Sequence, residues 1–237
     1  MLMPMPLRVL VSHAETLVHR GIVSTLSADI HFDVAEQPAD GFDAEALVRR
    51  GPAPYRVLVA DLRAGIDAAR RLRRERICRE AVATAVLVVS ASDGELTIRA
   101  ALEAGVQGYL TYEAAPGQLV EAAAALARGQ RFLTGSIAHR LAEAVGQDLP
   151  TRREIDVLKL MASGLCNKAI AAELNIAAGT VKAHMKALLQ KLDAPTRTAA
   201  ADIAKRRGLL DPVGEQLAFE LGRPSPPTRT RVGAVTL

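Results

Sequence analysis

The sequence predicts an α/β fold, a flavodoxin-like doubly wound (βα)5 sheet, followed by a small all-α domain. Three observations carry this. Short apolar runs alternate with helical stretches through the first 127 of 237 residues, giving five strand-helix repeats. From Thr151 the alternation stops and the sequence reads as helix throughout. The charge changes at the same place. Residues 1–149 hold 16 Arg, no Lys and 18 Asp plus Glu, whereas 150–210 hold 6 Lys and 5 Arg against 5 acidic residues.

Taken in order, "LRVLVS" (7–12) is the continuous apolar run that a parallel strand covered on both faces requires. Residues 57–61, 85–90 and 108–111 repeat it, and 32–35 give a weaker strand. Between them 16–27, 43–50, 66–79, 95–104 and 116–127 read as helices. Pro116 suits the first turn of the last of these, where a missing N–H costs nothing, and Gly129 suits its exit. "SIAHRLAEAV" (136–145) reads as a connecting helix and "GQDLP" (146–150) as a short linker. Further helices follow at 152–163, 167–174, 178–192 and 198–207. The end, 211–237, turns Pro- and Thr-rich and reads as a flexible tail. The expected domains are therefore 6–130 and 150–210, with a linker helix and linker over 131–149.

Composition excludes several classes. Half of the chain is apolar and 24% charged, which suits a packed core. No run approaches the ~18–20 apolar residues of a membrane helix, and the proline-broken start lacks the charged n-region of a signal peptide. Cys78 and Cys166 match no metal or redox spacing, so they read as ordinary thiols in a reducing cytoplasm. With no Gly-rich phosphate loop, nucleophile-base pair or metal cluster, the chain is expected to be no enzyme and to carry no cofactor or metal. A compact basic domain beside a mildly acidic one points to a polyanionic partner.

The second domain shows how such a partner is met. Thr151-Arg-Arg-Glu154 fits a capping box, in which a side chain at each end satisfies an orphan backbone N–H. Ile155, Leu158, Met161 and Ala162 share one face of the helix that follows, which stops at Gly164. A short helix, "NKAIAAEL", buries Ile170, Ala171 and Leu174, and Asn175 suits the left-handed turn after it. In the third helix, "GTVKAHMKALLQKL", Val181, Met185, Leu188, Leu189 and Leu192 form one apolar stripe. Lys182, Ala183, Lys186 and Gln190 take the opposite side. A helix held by one face and offering Lys and Ala on the other suits a DNA major groove. Lys bonds guanine acceptors or phosphate there, and Ala packs on a thymine methyl. The same pattern also describes a plain amphipathic surface helix with solvated lysines. His184 has no His or Cys partner at i±4, which excludes a local metal pair.

Read as a block, 151–210 resembles the helix-turn-helix domain of LuxR-type transcription regulators. The matching pieces are Thr-x-Arg-Glu-x-x-Val-Leu, Gly-Leu-x-Asn-Lys-x-Ile-Ala and Thr-Val-Lys-x-His, then Lys-Leu, Arg-Thr-x-Ala and Arg-Arg-Gly-Leu. The resemblance implies base contacts from Lys182, Ala183 and Lys186. It implies phosphate contacts from Asn167, Lys168, Thr180, His184 and Lys191, and a last helix that pairs two subunits. One departure is Ala177, which stands where that family usually places a Ser cap.

With that domain behind them, "RVLVSHAETLVHRGI", "VLVADLRAGIDA", "VLVVSAS" and "GVQGYLTYEA" resemble, in order, the receiver domain of NarL/FixJ-type response regulators. "RGQRFLTGSIAHRL" matches the usual exit into a linker. The resemblance implies a two-component system in which Asp61 is the phosphoacceptor position and Ser90 the hydroxyl position. Phosphoryl transfer also needs an acidic pair to hold Mg²⁺, plus a lysine on the product. His13-Ala14 replace the pair and Tyr112 the lysine, in a region without any lysine. Glu15 stands one place beyond the pair, and His13 suits softer metals than Mg²⁺. Tyr109 matches an aromatic that tracks the acceptor loop; here it is expected to pack against Ser90.

The function expected is a cytoplasmic, sequence-specific regulator of transcription. It binds double-stranded DNA as a homodimer and is controlled independently of ordinary Mg²⁺-dependent Asp phosphorylation through an atypical, degenerate receiver. Two alternatives stay open: a conventional response regulator phosphorylated at Asp61 by a sensor kinase, and a flavodoxin-like ligand-binding or enzymatic domain with a protein-docking helical part. In the expected reading Asp61 is a polar end to its strand, bonded to loop amides.

Overall fold

The structure is a computed structural model that describes residues 5–38, 55–76, 84–143 and 149–212. The helix expected over 43–50, the tail beyond 212, Cys78 and most of the 146–150 linker lie outside the described residues. The chain divides into two compact units near residues 146 and 147.

In the first unit β1 (Leu7–Ser12), β2 (Phe32–Glu36), β3 (Val57–Ala60), β4 (Ala85–Ser90), β5 (Gly108–Thr111) and β6 (Phe132–Leu133) form one sheet in the order β2-β1-β3-β4-β5-β6. All its pairings are parallel. Helices α1 (Thr16–Ser27), α2 (Leu62–Arg76), α3 (Glu95–Ala104) and α4 (Pro116–Ala127) cover its faces, and α5 (Gly135–Glu143) follows β6. Strand pleating sends Val9, Val11, Val57, Val59, Leu87 and Val89 to one face. There they bury against Ile22 and Leu26 of α1 and Leu119 and Leu126 of α4. The sheet reverses order between β1 and β3, so the carboxyl ends of these two strands open onto a shared crevice. Ser12, Asp61 and Ser90 stand at that end.

Two features differ from expectation. The sheet has six strands rather than five, because Phe132 and Leu133 pair with Gly108 and Tyr109. Helix α2 begins at Leu62 instead of 66, since Asp61 itself caps it: the Ala64 N–H donates to Asp61 Oδ1 at 3.0 Å and the Gly65 N–H to the Asp61 carbonyl at 2.8 Å. Gly65 lies inside this helix, where a Cβ would stand 2.6 Å from Val88 Cγ2. Its missing side chain lets α2 settle onto β4.

The second unit contains α6 (Arg152–Ala162), α7 (Asn167–Glu173), α8 (Ala178–Lys191) and α9 (Arg197–Arg206). The capping box forms: the Glu154 N–H donates to Thr151 Oγ1 and the Thr151 N–H to Glu154 Oε2. Gly164 (φ 87°) and Asn175 (φ 51°) make the left-handed turns on either side of α7. Helix α8 packs on α6 and α7, burying Val181, Met185, Leu188 and Leu192 beside Ile155, Leu158 and Ile170. Leu189, expected in the buried stripe, is only half-buried. The two helices beneath α8 cover a narrower arc than five leucine-spaced positions need. Among the described residues, no helix is long and apolar enough to cross a membrane.

Candidate functional site

On α8 the buried residues Val181, Met185 and Leu188 fix one side against the unit's core, so the opposite side projects. Lys182, Ala183 and Lys186 are exposed on it, and neither lysine has an ion-pair partner among the described residues. Thr180 and Lys168 are exposed, and Asn167 and His184 are half-buried. Thr180 sits in the first turn of α8, and Asn167 and Lys168 open α7, so all three stand at helix N-termini. Ala177 offers no side-chain bond to the start of α8. A cap of that kind is worth about 0.5–2 kcal/mol; without it the Thr180 N–H turns back on the Ala177 carbonyl at 2.9 Å.

Lys191 differs from the other residues of this set. Its Nζ lies 2.8 Å from Glu154 Oε2 and donates to the Leu149 carbonyl at 3.3 Å. Burial alone would push the Glu154 carboxyl up. The bonds from Lys191 and from Thr151 outweigh that and hold it below the usual carboxylate value. The ammonium thus points into its own unit and ties the end of α8 to the start of α6.

Two residues that sequence reasoning passed over also shape this surface. Arg197 donates to the Leu165 carbonyl at 2.8 Å and clamps the turn before α7. Cys166, expected to be an ordinary thiol, is the exposed N-cap of α7. N–H donation from Ala169 and Lys168 lowers its thiol below the usual value. A cysteine one place before a helix start was the available signal for this.

At the carboxyl end of the sheet, Asp61 is engaged on both oxygens. Oδ1 accepts from the Ala64 N–H at 3.0 Å, and Oδ2 accepts from the Ala14 N–H at 3.2 Å. The carboxylate therefore joins the loop after β1 to the first turn of α2. His13 is buried, with Nδ1 accepting from the Glu15 N–H at 3.1 Å and Nε2 lying 3.1 Å from the Val89 carbonyl. Because Nδ1 accepts, the ring proton sits on Nε2 and is donated to that carbonyl. Tyr112 lies over this ring with centroids 5.8 Å apart, its hydroxyl 3.4 Å from Nε2. Its phenol is pushed up to about 12 by burial, then by hydrogen bonding to Glu15 and by the charges of Glu15 and Asp61. Tyr112 stays neutral where a lysine would bring a cation.

Ser90 Oγ accepts from the Ser92 N–H at 3.1 Å, and the wholly buried Tyr109 donates its O–H to the Ser92 carbonyl at 2.8 Å. Tyr109 holds the loop after β4 through its backbone rather than through Ser90 itself.

The donor set does not fit Mg²⁺. A hard cation needs several oxygen ligands in one place. Here Ala14 supplies no side chain, both His13 nitrogens are committed, and each Asp61 oxygen already accepts a backbone bond. Among the described residues no group of three or more His, Cys, Asp or Glu side chains is placed to hold a metal ion.

Comparison with known proteins bears on both units. The family described as bacterial regulatory proteins, luxR family (GerE), matches residues 149–204. A nitrate/nitrite response regulator protein homolog of Haemophilus influenzae is 32% identical over 200 residues, covering 82% of this chain and 94% of its own. The nitrate/nitrite response regulator protein NarP of Escherichia coli is 32% identical over 206 residues, covering 82% and 93%. Among solved structures, the RcsB response regulator of Salmonella typhimurium aligns with a TM-score of 0.56 at 24% identity. That alignment covers 83% of this chain and 98% of RcsB, a likeness of fold.

Proposed function

The chain belongs to the NarL-type response regulators with a LuxR-family DNA-binding domain, and from that premise we propose that it is controlled without phosphorylation of Asp61. It is a DNA-binding regulator of transcription. The observation that carries the proposal is the commitment of both Asp61 oxygens to the Ala14 and Ala64 amides, in a crevice with neither an acidic pair nor a lysine. An acceptor carboxylate needs a cation beside it to neutralise the incoming charge. This one caps a helix instead.

In the same reading α8 enters the major groove, with Lys182, Ala183 and Lys186 against base edges. Asn167, Lys168, Thr180 and His184 meet phosphates, and Lys191 holds α8 in place from within. The protein acts by binding rather than turnover, as a homodimer on paired half-sites, in the cytoplasm. The domains are 6–130 and 150–210, joined through 131–149.

The test is to measure operator affinity of the full chain with and without beryllofluoride and Mg²⁺, for wild type and for Asp61→Asn. Equal affinity in all four conditions is expected. A several-fold rise on beryllofluoride that Asp61→Asn abolishes would establish ordinary phosphorylation instead. Lys182→Ala and Lys186→Ala should each weaken operator binding by about 1–3 kcal/mol; wild-type affinity in both would remove α8 from the groove.

A further inference from the structure

We propose that the base-reading ridge runs one turn beyond Lys186, through Leu189 and Gln190, and that this end of α8 reads an A·T pair. The inference rests on the proposed placement of α8 in the major groove. Leu189 stands seven residues after Lys182 and three after Lys186, on the same helical line, and Gln190 lies one turn past Lys186. All four side chains border one shallow, open depression of about 560 Å³, which Met185, Asp193, Ala194 and Pro195 also line. From Lys182 to Gln190 the helix rises about 12 Å, or three to four base-pair steps. The four positions fall at i, i+4, i+7 and i+8, on one side of the helix.

Burial separates the leucines of α8. Leu188 and Leu192 are in the core, at 1% and 4% exposure, while Leu189 keeps apolar atoms open on the surface beyond the unpaired Lys182 and Lys186. The apolar group that duplex DNA presents in its major groove is the thymine C5-methyl. The neighbouring Gln190 is exposed and neutral, and its amide donates and accepts at once. The adenine N6/N7 edge is its bidentate match. Adenine and thymine share one base pair, so these adjacent side chains suit its two halves.

The experiment uses the full chain and DNA altered by single atoms or groups. A binding site is selected from randomised duplexes with wild-type protein. Each thymine is then replaced by uracil, which removes only the methyl, and each adenine by 7-deazaadenine, which removes only N7. One uracil should weaken wild type about fourfold, the worth of one buried methyl-sized group, and leave Leu189→Ala unaffected. The 7-deazaadenine opposite it should weaken wild type and not Gln190→Ala. Equal losses in wild type and variant, or no loss at any thymine, would overturn the proposal. Lys182→Ala separates the two levels. If it loses site selectivity while the Leu189 and Gln190 arms are flat, the extension alone fails; if it binds like wild type, the placement of α8 fails with it.

Discussion

Replacing Lys191 by methionine decides which way its charge acts. The stem is kept and the ammonium is lost, leaving Glu154 without its cation at 2.8 Å. Removing one partner of a fully buried pair costs about 3–5 kcal/mol, whereas an exposed pair contributes under about 1 kcal/mol. Glu154 is 8% exposed and Lys191 24%, and Thr151 still bonds the carboxylate. Water screening on the lysine side lowers the expected loss to about 2–3 kcal/mol. Amide hydrogen exchange in α6 and α8 reads this unit separately from the sheet.

The salt dependence of operator binding provides the second readout. Each phosphate contact adds about 0.9 to the slope of log affinity against log salt. The variant should keep the wild-type slope and lose protection in α6 and α8. Unchanged protection with a slope lower by about 0.9 would refute the internal assignment and make Lys191 a phosphate contact. The pH dependence has a definite sign. The Glu154 carboxyl is depressed in the folded state, so its contribution is present above the unfolded carboxylate value and fades as pH falls through the folded one. Wild type should therefore lose protection in α6 only in acid, and the variant at a higher pH.

Three more outcomes are expected. Asp61→Ala removes the cap of α2 and should lower the stability of the first unit by about 0.5–2 kcal/mol in calorimetry, with Asp61→Ser recovering part of it; an unchanged melt would show that the carboxylate holds nothing. Tyr112→Phe should remove the phenolate transition near pH 12 from an ultraviolet titration. Because that phenol is raised, its contribution to stability is whole below the ordinary tyrosine value and lost as pH climbs through 12. Cys166 should alkylate with its rate rising at a pH below that of an ordinary thiol, and operator DNA should slow the reaction.

Much of the fold was legible because its signals are local. The apolar runs of β1, β3, β4 and β5 must be apolar on both faces, so each announces itself within six residues. The left-handed turns at Gly164 and Asn175 and the Thr151 capping box are likewise written in adjacent residues. Strand β6 was not legible, since two residues cannot show an alternation. Gly65 misled for a physical reason. The helix was expected only from 66, yet Gly65 lies inside it and lets the backbone of α2 approach Val88. The inward turn of Lys191 and the clasp of Asp61 on Ala14 depend on partners 37 and 47 residues away. No period within one helix or strand carries that information.

The crevice itself gives the proposed reading an energetic side. Phosphorylation would replace the single charge of the Asp61 carboxylate with a phosphate carrying about 1.5–2, a gain of about one or less, beside Glu15, with a neutral phenol where a cation is needed. Two unit charges about 4 Å apart repel by about 4 kcal/mol at an effective dielectric of 20 and by about 1 kcal/mol in water. The start of α2 returns only about 0.3–1 kcal/mol to an added charge, through its dipole. Modification also weakens the acceptor that the Ala64 N–H or the Ala14 N–H now uses. The unmodified carboxylate, by contrast, receives that dipole and both amides at once. On the proposed reading, a single negative charge at the head of α2 is the favoured state of this crevice.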